Sequence, residues 1–394
     1  MIPPLGAPEQ PERVPEALPA GIERIIGRYG GQVAGPLVLV IGGLHGNEPS
    51  GIKALQCVVS KLHERGPAFR GELIAVAGNL AALREGVRFL DHDLNRGWSV
   101  RRVAKALDQP VSAEDRERAD LLDILVPRLR EAEGETFVLD LHSTSSPSAP
   151  FLTLADTLEN REFAQRLGMP LVLGLEEQID GAMLEYVGRF GPICVGVEAG
   201  QHDDPISVDI HEATVWLALV ESGCLARDTT LFDLAEARRR IAAARAGLPH
   251  VFEVVYRRCI GPGDRFRMEP GHHNFEPVRA GQVIASTAAG SVRVPEDGWL
   301  FLPLYQELGD DGYFLVRPVR SIWLGVSRML RRLGVGRVLP LLPGVHRARE
   351  RTDTYLVDRR VARWLVIQFF HLLGYRRVRG TPRVVVFRGQ GVKE

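Results

Sequence analysis

The chain has 394 residues, long enough for two or three domains and a substantial core. Hydrophobic residues make up 45% and charged residues 25%, the balance of an ordinary soluble globular protein. Forty-nine basic residues cancel forty-nine acidic ones, so the whole-chain charge points to no particular partner. The neutrality hides an asymmetry, because eighteen basic residues face only four acidic ones from Arg317 onward. The four cysteines, Cys57, Cys194, Cys224 and Cys259, form no CxxC pair, which argues against a thiolate metal site or a disulfide framework.

Residues Met1 to about Pro19 read as a Pro/Glu-rich lead-in. No basic region precedes an apolar run there, and no uncharged stretch reaches spanning length, so a cytoplasmic protein is expected. Pro36 to Gly43 reads as a buried parallel strand, followed by a helix carrying Ile52, Leu55, Val58, Val59 and Leu62 at helical spacing. Further strands are predicted over Glu72–Asn79, Thr136–Leu141 and Pro192–Val197, and helices over Ala113–Glu131 and Ile210–Ser222. Strands alternating with helices predict an α/β fold whose mostly parallel sheet is covered on both faces. From Val251 to Val316 the segments shorten and Gly and Pro become frequent, as in a small β domain. Beyond it, helices are predicted over Ser321–Leu333 and Tyr355–Leu373, then a short strand over Arg383–Arg388. The expected domains are residues 20–247, 248–318 and 319–394.

Four short blocks carry the chemistry. His45 and Glu48 stand three apart where a strand hands over to a helix, and His142 ends another strand. Two histidines and one glutamate are a common ligand set for catalytic zinc, with a fourth position left for water. Metal-bound imidazoles donate their second N–H to a carboxylate, which makes Asp93 and Asp140 candidates for that support. Arg88, Asn95 and Arg96 surround Asp93 in sequence, and guanidinium groups bind carboxylates through paired hydrogen bonds, so an anionic substrate is expected. Glu198 directly follows an apolar strand, where a carboxylate can take a proton from water and return it to a leaving amine. No GxSxG elbow and no P-loop occur, so a serine nucleophile is rejected.

The motifs Gly-Gly-Leu-His45-Gly-Asn-Glu48, Asp91-His-Asp93-Leu-Asn95-Arg96, Asp140-Leu-His142 and Gly-Val-Glu198-Ala-Gly resemble those of the succinylglutamate desuccinylase/aspartoacylase family, itself similar to zinc carboxypeptidases. The resemblance covers roughly Ile22 to Pro318. It implies a three-layer α/β/α zinc-carboxypeptidase-like domain with a mostly parallel mixed sheet, then a small β domain. It implies one Zn2+ per chain on His45, Glu48 and His142, and Glu198 as general base and acid. Arg88 would polarise the scissile carbonyl, and Asn95 and Arg96 would hold the carboxylate of the amino-acid part. Arg189 and Tyr313 are its counterparts for two further substrate contacts.

The tail after Pro318 departs from the family pattern. Its expected form is a basic, largely helical extension packed on the catalytic domain or a sister subunit in a homo-oligomer. The stretch from Ser321 puts Ile322, Val326, Met329, Leu330 and Leu333 on one side, so contact with an anionic membrane surface is the second expectation. Nucleic acid is not expected, since no recognition motif is present. The function expected is hydrolysis of the amide of a small anionic N-acyl amino acid. The rivals are a metallocarboxypeptidase acting on short peptides and a noncatalytic binding protein for acyl amino acids.

Overall fold

The computed structural model describes residues 21–389 apart from 246, 307, 349–353, 359–369 and 381–383. In chain order the first part contains β1 (Ile25–Gly30), β2 (Leu37–Gly42), α1 (Ser50–Arg65), β3 (Glu72–Ala77), α2 (Leu80–Glu85), α3 (Val100–Asp108), α4 (Ala113–Glu131) and β4 (Thr136–Thr144). It continues through β5 (Phe151–Thr153), α5 (Leu158–Leu167), β6 (Leu171–Leu173), α6 (Met183–Val187), β7 (Ile193–Gln201), α7 (Ile206–Glu221) and α8 (Leu234–Ala244).

Strand β2 is Leu-Val-Leu-Val-Ile-Gly, buried at every position because it pairs in parallel with β3 on one side and β4 on the other. Both its faces are covered, which is why its sequence is a continuous apolar run and not an alternation. Val38 and Val40 pack with Leu55, Val58 and Leu62 of α1 and Trp216 of α7. Leu39 and Ile41 pack on the other face with Leu121, Leu125 and Leu129 of α4. These two clusters make the three layers. Helix α4 starts at a capping box between Ser112 and Asp115, and α1 ends at Gly66 in the left-handed region at φ 55°.

The second region is β8 (Val251–Cys259), β9 (Arg267–Met268), β10 (Pro277–Val278), β11 (Val283–Thr287), β12 (Gly290–Arg293), β13 (Gly298–Phe301) and β14 (Asp311–Pro318). Part of it is not separate from the first. Strand β8 pairs in parallel with β6, and the resulting mixed sheet of eleven strands runs β1-β3-β2-β4-β7-β5-β6-β8-β14-β13-β10. Its central run β3-β2-β4-β7 is parallel. Phe151, Phe252, Phe275, Phe301 and Phe314 fill one core shared across that junction.

The extension holds α9 (Ser321–Arg332), β15 (Val345–Arg347), β16 (Thr354–Asp358), β17 (Tyr375–Gly380) and β18 (Val384–Gly389). The four strands form an antiparallel sheet in the order β15-β16-β18-β17. The expected helix from Tyr355 therefore needs correction, because its first residues are strand β16. Tyr355 and Val357 are buried with exposed Leu356 between them, a period of two and not 3.6. The stretch 359–369 lies outside the described residues. Among the described residues, no helix is long and apolar enough to cross a membrane.

Candidate active site

Strands β2, β4 and β7 run parallel and end at the same edge of the sheet, where open α/β sheets place their ligands. Side chains alternate along a strand, so Val138, Asp140 and His142 of β4 share the face that packs on α4. Glu198 of β7 is the direct register partner of His142, and Asp140 pairs with Gly196. His45 and Glu48 come from the turn after β2. Gly46 between them lies so close to α2 that a Cβ would run into the Ala82 backbone, so only glycine lets the turn seat there.

The three expected ligands meet. His45 Nδ1 lies 2.8 Å from Glu48 Oε1, and His142 Nδ1 lies 2.9 Å from Glu48 Oε2. All three residues are buried, and their ligating atoms lie within 4.8 Å of one another. The opposite ring nitrogens face carboxylates as expected: His45 Nε2 is 3.1 Å from Asp93 Oδ1, and His142 Nε2 is 2.8 Å from Asp140 Oδ2. That arrangement fixes both rings with Nδ1 aimed at one point. Burial would raise the Glu48 carboxyl and lower the His142 imidazole. The facing charges overcome it, holding Glu48 well below and His142 well above their usual ranges. Three carboxylates around two imidazoles make a pocket that favours positive charge, and the donor set suits a small divalent cation.

Glu198 is partly buried, and its Oε2 has no hydrogen-bond partner among the described residues. Burial, with Glu48 and Asp140 nearby, pushes its carboxyl up to about 8 against the pull of His142 and Arg88. Arg88 donates from Nη2 to Asp93 Oδ2 at 2.9 Å, and its Nη1 lies 3.6 Å from Glu48 Oε1. Asp93 also caps its own turn, accepting from Asn95 N at 2.8 Å. The loop that carries these groups hangs on Glu114 of α4, a fully buried carboxylate. It accepts the backbone N–H groups of Leu90, Asp91 and His92 at 2.8, 3.0 and 3.2 Å.

A cavity of about 1040 Å3 opens over the strand ends and includes His45, Glu48, Arg88, Asn95, Arg96, His142, Arg189 and Glu198 in its wall. Asn95 Oδ1 accepts from Met183 N at 2.8 Å, which ties α6 to the site. Arg96 Nη2 lies 3.4 Å from Asp311 Oδ2 of β14, and Arg257 of β8 donates from Nε to the other oxygen of Asp311 at 2.5 Å. Tyr313 is the expected site residue that the structure does not bring in. A register shift between Asp311 and Tyr313 turns Asp311 to the cavity and leaves Tyr313 buried on the opposite face, among Met268, Ile284 and Leu315. Asp311, two residues before it, reaches the cavity wall instead.

Two wall residues escaped the sequence reading. His202 closes on Ser143, with Nδ1 2.8 Å from its Oγ, and burial lowers its pKa. Its position four residues past Glu198, at the end of the same strand, was the available signal. Gln306 reaches back from the loop before β14, accepting from Asn47 Nδ2 at 3.1 Å. Nothing in the local sequence links positions so far apart.

Fold and site together define an α/β protein with a buried His-Glu-His cluster at its strand ends and a carboxylate paired beside it. A model of the succinylglutamate desuccinylase/aspartoacylase catalytic domain matches residues 34–249, and the chain belongs to this family. It is 27% identical over 256 residues to a succinylglutamate desuccinylase of Burkholderia thailandensis, covering 63% of this chain and 69% of that one. A succinylglutamate desuccinylase of Paraburkholderia xenovorans is 31% identical over 116 residues, but the match spans 28% of this chain and only 32% of that protein. An N-acyl-aromatic-L-amino acid amidohydrolase of Xenopus tropicalis is 31% identical over 112 residues, with 28% and 34% covered. The fold is similar to the crystal structure of the succinylglutamate desuccinylase from Chromobacterium violaceum, with TM-score 0.53, 19% identity, and 74% and 88% of the two chains covered.

Proposed function

We propose that the protein is a zinc-dependent hydrolase that cleaves the amide bond of a small anionic N-acyl amino acid. The convergence of His45 Nδ1, His142 Nδ1 and Glu48, with Glu198 in register beside His142, supports this function. A zinc ion held by His45, Glu48 and His142 would supply Lewis acidity, polarising the acyl carbonyl and making water easier to deprotonate. Asp93 and Asp140 keep both rings turned so that Nδ1 is the donor. The positive charge of a bound zinc would favour the ionised form of Glu198, and that carboxylate takes the proton as water adds to the carbonyl carbon. Arg88 offers N–H groups to the developing oxyanion, and its charge persists at any working pH. Glu198 then gives the proton to the nitrogen as the C–N bond breaks, which releases a carboxylic acid and an amine. Arg96 and Asn95 hold the carboxylate of the amino-acid part, with Arg96 steadied by Asp311.

The test is a mass-spectrometric screen of purified, zinc-loaded protein against N-acetyl and N-succinyl amino acids and dipeptides. Turnover of acyl amino acids with a free carboxylate, lost when that carboxylate is amidated, is the expected result. Cleavage of dipeptides alone would establish a peptidase. Binding of acyl amino acids without hydrolysis would establish a sensor.

A further inference from the structure

Helix α9 has one side committed to the rest of the molecule. Leu324 joins the main core, and Ser327 Oγ donates to Leu372 O at 2.6 Å while accepting from Arg161 Nη1 at 3.0 Å. Arg331 Nη2 lies 2.9 Å from Asp156 Oδ2, and Arg332 Nη2 lies 2.9 Å from Glu162 Oε1. The other side is apolar and exposed. Ile322, Met329 and Leu333 stand seven and four residues apart, which stacks them on one helix face, and they are 65%, 54% and 71% exposed. Trp323 flanks them at 52% exposed, and the next segment adds Leu341 at 81%. Scattered exposed hydrophobics are normal, but a helix face of them is a docking surface.

We propose that this face of α9 docks on an anionic lipid surface. Ile322, Met329 and Leu333 enter the acyl boundary, Trp323 sits at headgroup level, and exposed arginines such as Arg320 meet the phosphates. Charge complementarity selects this occupant. The extension carries seventeen basic against four acidic residues, and since the whole chain is neutral, the remainder carries the matching negative excess. An anionic surface therefore attracts the extension more strongly than the catalytic part. A second copy meeting this face about a two-fold axis would press two basic extensions together. A nucleic acid would be held by the arginines but would gain little from the apolar row.

The experiment is flotation of the full-length protein with vesicles of phosphatidylglycerol and phosphatidylcholine, compared with phosphatidylcholine alone. The variant carries Ile322→Glu, Met329→Glu and Leu333→Glu together, all exposed and outside the cavity wall, with circular dichroism as the folding control. The expected result is flotation with the anionic vesicles only, weakened at about 0.5 M salt, where screening shortens to roughly 4 Å. The variant should bind at least about tenfold more weakly. Trp323 emission should shift to the blue on binding, a change that Trp323→Phe removes. Failure of the unmodified protein to float, or equal flotation of the variant, overturns the proposal. So does a dimer in light scattering that the variant dissolves when neither protein floats, which would assign the face to a second copy. Binding to a single-stranded RNA oligonucleotide without binding to vesicles also overturns it.

Discussion

Glu198 is held above the ordinary carboxylate range mainly by burial, while its register partner His142 stands beside a carboxylate on each ring nitrogen. Such a pairing separates the two residues by role. His142→Ala should lose most bound zinc, since a three-ligand site depends on every donor. Glu198→Gln should keep the metal and the fold but lower kcat by about a hundredfold or more, the usual scale for a positioned base. Elemental analysis and steady-state kinetics on both variants check this, and a Glu198→Gln enzyme with near-normal kcat would move the base elsewhere. His211 of α7 offers a pH prediction. It is fully buried, its Nε2 donates to His142 O at 3.0 Å, and burial lowers its pKa from 6.5 to about 4. The unfolded chain takes up a proton there that the folded chain refuses, so acid favours unfolding. The stability is complete above pH 6.5 and is lost as pH falls from 6.5 through about 4, by about 3 kcal/mol in all. His211→Gln should flatten that part of the profile in urea melts. An unchanged slope would mean that other groups set it.

Two elements depend on single buried carboxylates. Glu114 gathers three backbone N–H groups of the loop that presents Asp93, Asn95 and Arg96. Glu114→Ala strands those donors and should cost about 2–4 kcal/mol. Because the loop carries the support for His45, kcat/KM should fall as well, although Glu114 never touches substrate. Normal activity with lowered stability would show that the loop is held by other contacts. Asp156 ties α9 to the catalytic domain through Arg161 and Arg331. Asp156→Ala leaves two guanidinium groups facing each other without their shared partner and should destabilise by roughly 3–5 kcal/mol. Limited proteolysis should then cut near residue 320 before the catalytic domain is lost. Strands β2, β4 and β7 were legible in the sequence because buried parallel strands are short apolar runs ending at glycine or at a site residue. Strand β16 was not, because Tyr355, Leu356 and Val357 fit a helical pattern as readily, and only the pairing with β15 and β18 decides.

At the scale of the molecule, the His-Glu-His cluster joins the turn after β2 to the end of β4, so an ion bound there would link segments nearly a hundred residues apart. Zinc should therefore raise the unfolding temperature, with a gain of about 4 kcal/mol at a thousandfold excess over its Kd. Calorimetry with and without a chelator checks this, and an identical melting temperature would mean that the cluster holds no ion in solution. By itself the sequence picked out the residues of the His-Glu-His cluster, Glu198, the neighbouring Asp93 and Asp140, and the apolar runs that form β2, β4 and β7. Most of those features are local: His45, Asp140, His142 and Glu198 sit at or just past strand ends, and Asp93 belongs to a short motif of charged and amide residues. Tertiary structure alone decided that the second region continues the central sheet, that Asp311 and not Tyr313 reaches the cavity, and that Gln306 meets Asn47. It also decided which side of α9 is spent on Asp156 and Glu162 and which side is left open. Such contacts depend on register shifts and long-range pairing, and a helical or strand period states only that a face exists, not what lies against it.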